Sequence, residues 1–487
     1  MSLASTLGDR FKAAFAGRVV SVISGAILAV ALARLLDPDE YGLLFLSISV
    51  FGTIMLFSKL GIAKSTARYI AEYKETNPGQ LRHVLRFGFL LNLVAITVVC
   101  ALVLVTYEWI AQLLREPDLA PFLLIGVFFI AFGTVLTFVR VTLQGFEAIK
   151  ATAGLRVIDT VSRLILTLGL LVLGYGAIGA LVGYILAYLL AMIVGLAYLY
   201  RRYYPRSTTE AFEPGLKRRI AEYAVPLTAT NTANVLDKRI DTILVGFFIG
   251  PVAVAYYTIG KQVIEFIETP MSALGFTLSP TYEAQQAKGN PETAARIYEE
   301  ALSHGLLFYI PAAAGLILVA EPVVELVFGT EYFGAIPVVQ VLAIYAVLQS
   351  VTKLTSNGLD YLGRARERAI VKGVSAVLNV VLNVVLIPLI GVVGAAIATV
   401  VTYSMYTLAN VYIIHTEFDL RVRFILKHIG SVLVIAGVMS FVVSLLLGYI
   451  TGFLTLFGVV AVGVVVWAVL SIGAGLIDFE RIYSVLF

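Results

Sequence analysis

The chain has 487 residues, 60% apolar and only 14% charged, with a formal net charge of +4 and a mean hydropathy of +0.94. Soluble domains are nearer one quarter charged, so this composition points to a membrane protein and excludes disordered, collagen-like and disulfide-built chains. The small net charge argues against a nucleic-acid partner, and four histidines with the single Cys100 leave no material for a zinc site or disulfide framework.

A helix needs about 20 apolar residues to cross a hydrocarbon core of roughly 30 Å. Fourteen stretches qualify, and no signal-cleavage pattern precedes the first, so no removable leader is expected. The first, 13–34, carries Arg18 and Arg34. The second, 42–62, carries Lys59 near its end. The third is 87–107, and the fourth, 120–143, holds Arg140. The fifth, 157–173, has Asp159 and Arg163 one turn apart, the spacing of an ion pair. The sixth, 176–199, offers Gly179 and Gly183 as a close helix contact. A basic linker follows at about 200–223.

The seventh stretch, 224–249, repeats Asn231, Asn234, Asp237 or Lys238, and Asp241 at three- and four-residue spacing, which puts them on one face. The eighth, 253–279, has Lys261 and Glu265 one turn apart and then Glu268. The ninth is 303–320, and the tenth, 335–356, contains Lys353. Four more follow at 374–390, 391–414, 425–448 and 453–477, with a close joint near Pro388 to Gly391. The runs are continuous rather than alternating, which excludes a β-barrel.

An even number of spans puts both termini on one side. Loops on that side hold nearly all the loop lysines and arginines, from Arg10 to Arg481, while the opposite loops hold only Arg115. The positive-inside rule makes the termini cytoplasmic in a cell membrane.

The chain repeats itself at an offset of 213 residues. Leu36-Asp37-Pro38 answers to Ile249-Gly250-Pro251, and Asn77-Pro78 to Asn290-Pro291. Gln144-Gly145-Phe146-Glu147 answers to Asn357-Gly358-Leu359-Asp360, and after a two-residue slip Tyr188 answers to Tyr403. Six spans per copy make the repeats parallel. The expected fold is all-α, with two six-helix lobes, 1–210 and 211–416, and two extra helices in 417–487.

Ionisable groups inside a membrane are costly and mark cavities or pairs. Within the spans cations outnumber acids, which favours an anionic substrate bearing phosphate or pyrophosphate. Arg140 and Lys353 are repeat mates without an acid one turn away in their own span, and with Arg18 and Lys59 they form the expected phosphate site. Snorkelling to the cytoplasmic surface is the competing reading for Arg18, Arg140 and Lys353. Asn231 and Asn234 join the substrate set through the polar stripe, which marks a cavity between the halves, with a polar helix seam as its alternative. Asp237, Asp241 and Glu268 are the candidate carriers of a coupling sodium ion or proton; neutralisation of the aspartates by Lys238 and Arg239 is the competing reading. No catalytic residues, metal or resident cofactor are expected. No phosphate-cradling loop for ATP is present in the sequence.

Ala31 and the run Arg34-Leu35-Leu36-Asp37-Pro38-Asp39-Glu40-Tyr41-Gly42 resemble the first-loop signature of Wzx-type polysaccharide flippases of the MOP superfamily. The stretch from Tyr223 through Pro226 to Asp241, then Gly250-Pro251 and Ala255-Tyr256-Tyr257, is similar to its second-half counterpart. Lys59 to His83, with Ala71-Glu72-Tyr73-Lys74-Glu75-Thr76, looks most like archaeal members. The resemblance implies alternating-access flipping of a polyprenyl-linked oligosaccharide to the outer leaflet, for surface polysaccharide or glycoprotein synthesis. It implies the bilayer and glycan-assembly enzymes as partners. A MATE-like ion-coupled exporter of small solutes is the alternative. A membrane glycan polymerase or ligase would need catalytic residues on a large outer loop; Asp37-Pro38-Asp39 mimics a metal-binding triplet but reads as a helix-capping turn.

Overall fold

Asp37-Pro38 starts a helix for local reasons. The Asp37 carboxylate accepts a hydrogen bond from the Glu40 backbone N–H at 2.8 Å, and Pro38 occupies the first helical turn, where its missing donor costs nothing. The capping reading of this triplet is therefore correct. The computed structural model describes residues 3–204, 211, 213–267 and 269–476, except the side chains of 3–15 and of part of 226–286. All regular elements among them are helical.

Helix packing divides the chain into two units, Met1–Val254 and Ala255–Phe487. The first holds α1 (Leu3–Leu35), α2 (Pro38–Lys59), α3 (Ile62–Thr76), α4 (Leu81–Leu113), α5 (Ala120–Gly145), α6 (Ile149–Val172), α7 (Gly176–Arg202) and α8 (Leu216–Phe248). Between α2 and α3, Leu60 and Gly61 both take left-handed backbone angles, φ 38° and 64°, which end one helix and start the next. α6 packs on α1 and α7, and α5 lies against α2, α3, α4 and α7. Gly183 fulfils the small-residue expectation: a Cβ there would stand 2.6 Å from the Thr167 backbone of α6. Gly42 does the same at the start of α2, where a Cβ would fall 1.8 Å from the Pro251 carbonyl oxygen.

The start of α8 is clasped to α3. Ser65 Oγ donates to the Ile220 carbonyl at 2.7 Å, and the Arg68 guanidinium lies 4.0 Å from the Tyr223 ring centre. The Tyr73 hydroxyl donates to Glu213 and accepts from Arg219 at 2.7 Å. Burial, then the Glu213 hydrogen bond, raise that hydroxyl above its ordinary pKa. Gln80 bridges to the Ala211 carbonyl and the Glu213 amide at 2.7 and 3.1 Å. These bonds place the end of the basic linker on unit 1.

The second unit takes up the rest of α9 (Pro251–Ile267), followed by α10 (Thr269–Ala287), α11 (Pro291–Val323), α12 (Ile336–Tyr361), α13 (Ala365–Ile390), α14 (Val392–Phe418), α15 (Val422–Leu446) and α16 (Phe453–Gly473). Its core joins Tyr282, Tyr298, Leu302, Leu354 and Phe418, all nearly inaccessible. The joint expected near Pro388 is a single residue, Gly391 at φ 70°. The two extra helices lie on α11. Trp467 Nε1 donates to the Leu307 carbonyl at 2.9 Å, and the fully buried Glu299 accepts from the Arg421 amide at 2.7 Å and from its guanidinium at 2.6 and 2.8 Å.

Eleven helical segments among the described residues are long and apolar enough to cross a membrane. The predicted spans outside that set fall in α6, α8 and α9–α10, which carry the clustered charges. The repeat mates of α6, α8 and α9, namely α13, α1 and α2, are in the set.

Candidate functional site

The buried charges of unit 1 converge on one carboxylate. Asp159, 6% exposed on α6, lies 3.5 Å from Arg140 Nη1 of α5 and pairs directly with Arg163 one turn along its own helix. The Asp159–Arg163 pairing expected from spacing is present. Arg140, expected to have no acid one turn away, instead finds one across the α5–α6 contact.

Arg163 also stacks on α7, with its Cζ 5.0 Å from the centre of the Tyr184 ring and 5.1 Å from Tyr188. Its Nε is buried without a hydrogen-bond partner. A guanidinium has five donors in a fixed fork, and Asp159 together with two ring faces leaves this N–H open to an acceptor. Arg140, 23% exposed, is held among the described residues by a single 3.5 Å contact and has donors to spare.

Two further cations reach the same region. Lys59, at the last position of α2, feels the charges of Arg239 and Arg140. Arg239 leaves α8 and crosses α2, donating from Nη1 to the Ile48 carbonyl at 2.9 Å. Gly52 makes that path: a Cβ there would stand 2.1 Å from Arg239 Nε. Arg156 acts on Arg140 as well. Arg140 and Arg163 thus share Asp159, while Lys59 lies within reach of Arg140 and Arg239, and among these described groups the cations outnumber the carboxylate. In a low-dielectric surrounding such an excess is costly unless counter-charge balances it.

The remaining expected site residues fall as follows. Arg18 is exposed on α1 and is not among the charges acting on Lys59 or Arg140. Lys353 is half-buried on α12 of unit 2, with its carbonyl against Gly275 of α10. Asp241 is 2% exposed on α8. The side chains of Asn231, Asn234 and Asp237, and all of Glu268, lie outside the described residues.

Sequence reasoning missed Arg163 and Arg239 as members of the site. The repeat held a signal for the first. At the offset of 213, Asp159 answers to Lys372, and in unit 2 Lys372 Nζ lies 3.1 Å from the hydroxyl of Tyr403, the mate of Tyr188. It stands 4.5 and 4.8 Å from the Tyr403 and Tyr406 ring centres. Each unit therefore sets a cation against the same repeated tyrosine.

A polytopic all-helical fold with buried cations in excess defines a membrane transporter. The profile of the polysaccharide biosynthesis protein family matches residues 13–275, more than half of the chain, and the chain belongs to that family. The MatE profile matches residues 226–385. The probable low-salt glycan biosynthesis flippase Agl15 of Haloferax volcanii is 24% identical over 429 residues, 88% of this chain and 85% of that protein. Among solved structures, the lipid II flippase MurJ in an inward closed conformation aligns with a TM-score of 0.76 at 16% identity, covering 95% of this chain and 97% of that one. An inward-facing MATE multidrug transporter of the MOP superfamily gives 0.66 at 16% identity, over 81% and 95% of the respective chains. The fold is that of the MOP superfamily.

Proposed function

We propose that this protein is a flippase that carries a polyprenyl-phosphate- or pyrophosphate-linked oligosaccharide from the cytoplasmic to the outer leaflet of the cell membrane. The observation that carries the reading is the buried Arg163 Nε, which has no hydrogen-bond partner among the described residues, beside the Asp159 carboxylate that Arg163 shares with Arg140. Phosphate is the lipid-linked group that suits a guanidinium fork, since it accepts two parallel bonds and brings the missing negative charge. Lys59, Arg140 and Arg239 complete the electrostatic side of the site, and Arg18, Lys353, Asn231 and Asn234 are proposed as further substrate contacts. The name and coverage of the Haloferax relative support the same substrate class.

The protein acts as a transporter by alternating access and makes or breaks no covalent bond. Asp237, Asp241 and Glu268 are the proposed carriers of a coupling proton or sodium ion. The termini face the cytoplasm, and glycan-assembly enzymes supply and consume the substrate on the two sides. The MatE match favours one second reading, export of small solutes. A site with surplus cations repels the cationic solutes such an exporter would take.

The test is translocation of a fluorescent lipid-linked oligosaccharide in proteoliposomes, with a cationic dye as the competing cargo. Flipping of the glycolipid without dye transport is expected. Dye export with no glycolipid movement would replace this reading with the exporter.

A further inference from the structure

We propose that unit 1 carries a separate binding site for one anionic membrane phospholipid, in a groove between α4, α5 and α7 at the basic end of their spans. The groove measures ≈ 230 Å³ and is walled by Phe89, Phe138, Leu196 and Leu199, with almost no polar surface. Its upper wall is a stacked pair, Tyr200 and Tyr204, with ring centres 5.3 Å apart. Arg86 lines the same groove and is exposed. Arg82, one turn earlier on α4, is fixed over the Tyr204 ring at 5.2 Å and donates from Nε to its hydroxyl at 3.3 Å.

The order of chemistry along this groove is that of a leaflet lipid. Aliphatic and phenyl groups lie toward the middle of α4 and α7. Tyrosines, which favour the headgroup level, come next, and guanidinium groups stand at the end. Two arginines above an apolar slot fit an amphiphile with a phosphate head and a hydrocarbon tail, and they distinguish an anionic head from a zwitterionic one. The groove shares no residue with the group around Asp159, so this lipid is a resident of the fold and not the cargo. Leu85 and Leu199 connect it to the buried core of unit 1, where Leu85 is 4% and Leu199 8% exposed. An occupied groove would therefore brace α4 against α7.

The experiment is native mass spectrometry of the full-length protein from micelles holding equimolar dioleoylphosphatidylglycerol and dioleoylphosphatidylcholine. One phosphatidylglycerol should be retained in preference to phosphatidylcholine by about thirtyfold, as expected for two arginines at a membrane surface. Arg82→Gln with Arg86→Gln should abolish the preference, and Arg82→Lys with Arg86→Lys should restore most of it. Leu196→Trp, which fills the slot, should lower retention of both lipids at an unchanged melting temperature. Equal retention of the two lipids by the wild type, or an undiminished preference in the double glutamine variant, would overturn the assignment. So would displacement of phosphatidylglycerol by equimolar polyprenyl phosphate, since that would make the groove a port for the transported lipid.

Discussion

The two units build the same motif with different chemistry. In unit 1 the repeated tyrosine, Tyr188, meets Arg163, whose guanidinium is locked by the buried Asp159 and has an open Nε. In unit 2 its mate Tyr403 meets Lys372, a single ammonium that spends one donor on the tyrosine hydroxyl and spreads its charge over two rings. An arginine fork held by a carboxylate is pre-organised for a phosphate, whereas a lysine over tyrosines is a point charge on a flexible stem. Duplication supplied a common frame. At one repeated position unit 1 has Asp159 where unit 2 has Lys372, so a carboxylate fixes the guanidinium in the first and an ammonium meets the tyrosines directly in the second.

Removing the carboxylate should have the largest effect. Asp159→Ala leaves Arg140 and Arg163 without a counter-charge and should cost about 3–5 kcal/mol of stability. A denaturant titration of the purified protein measures it, and a loss below about 1 kcal/mol would show that solvent already neutralises the site.

The next effect falls on transport. Arg163→Lys keeps the charge and removes the fork, and should slow glycolipid flipping about tenfold, the worth of one charge-assisted hydrogen bond. Lys372→Arg, the reciprocal change, should alter the rate by less than about twofold. Equal effects of the two substitutions would erase the distinction between the units.

Gly52→Ala tests whether the path of Arg239 belongs to the site. The added methyl must displace a guanidinium, and overpacking of this kind costs about 1–3 kcal/mol. Flipping should fall further than stability predicts; a variant that melts lower yet flips normally would assign Arg239 to helix packing alone. Smallest of all, Lys372→Met should lower stability by about 0.5–1 kcal/mol through loss of its ring contacts. A larger loss would mean that Lys372 is as deeply committed as Arg163.

Most of the fold was legible in the sequence, because crossing a bilayer leaves few choices. A span must be a long apolar helix, and eleven of the predicted stretches meet that test directly. Those in α6, α8 and α9–α10 were read as apolar stretches as well, but the charges clustered in them keep them outside that set. The site was legible only in part. Spacing along one helix announced the Asp159–Arg163 pair, and Arg140 and Lys59 were marked by their charge alone.

The all-helical membrane class, the repeat, the capped start of α2 and the presence of surplus cations can all be read from the order of residues alone. Each follows from local periodicity or from the cost of burying charge. Which charges meet depends instead on how the helices pack. Asp159 reaches Arg140 across a helix contact 19 residues away, and Arg239 reaches Ile48 across 191. No helical period relates such positions. Their meeting depends on the packing of α5 on α6 and of α8 on α2, and on Gly52 having no side chain to block the way.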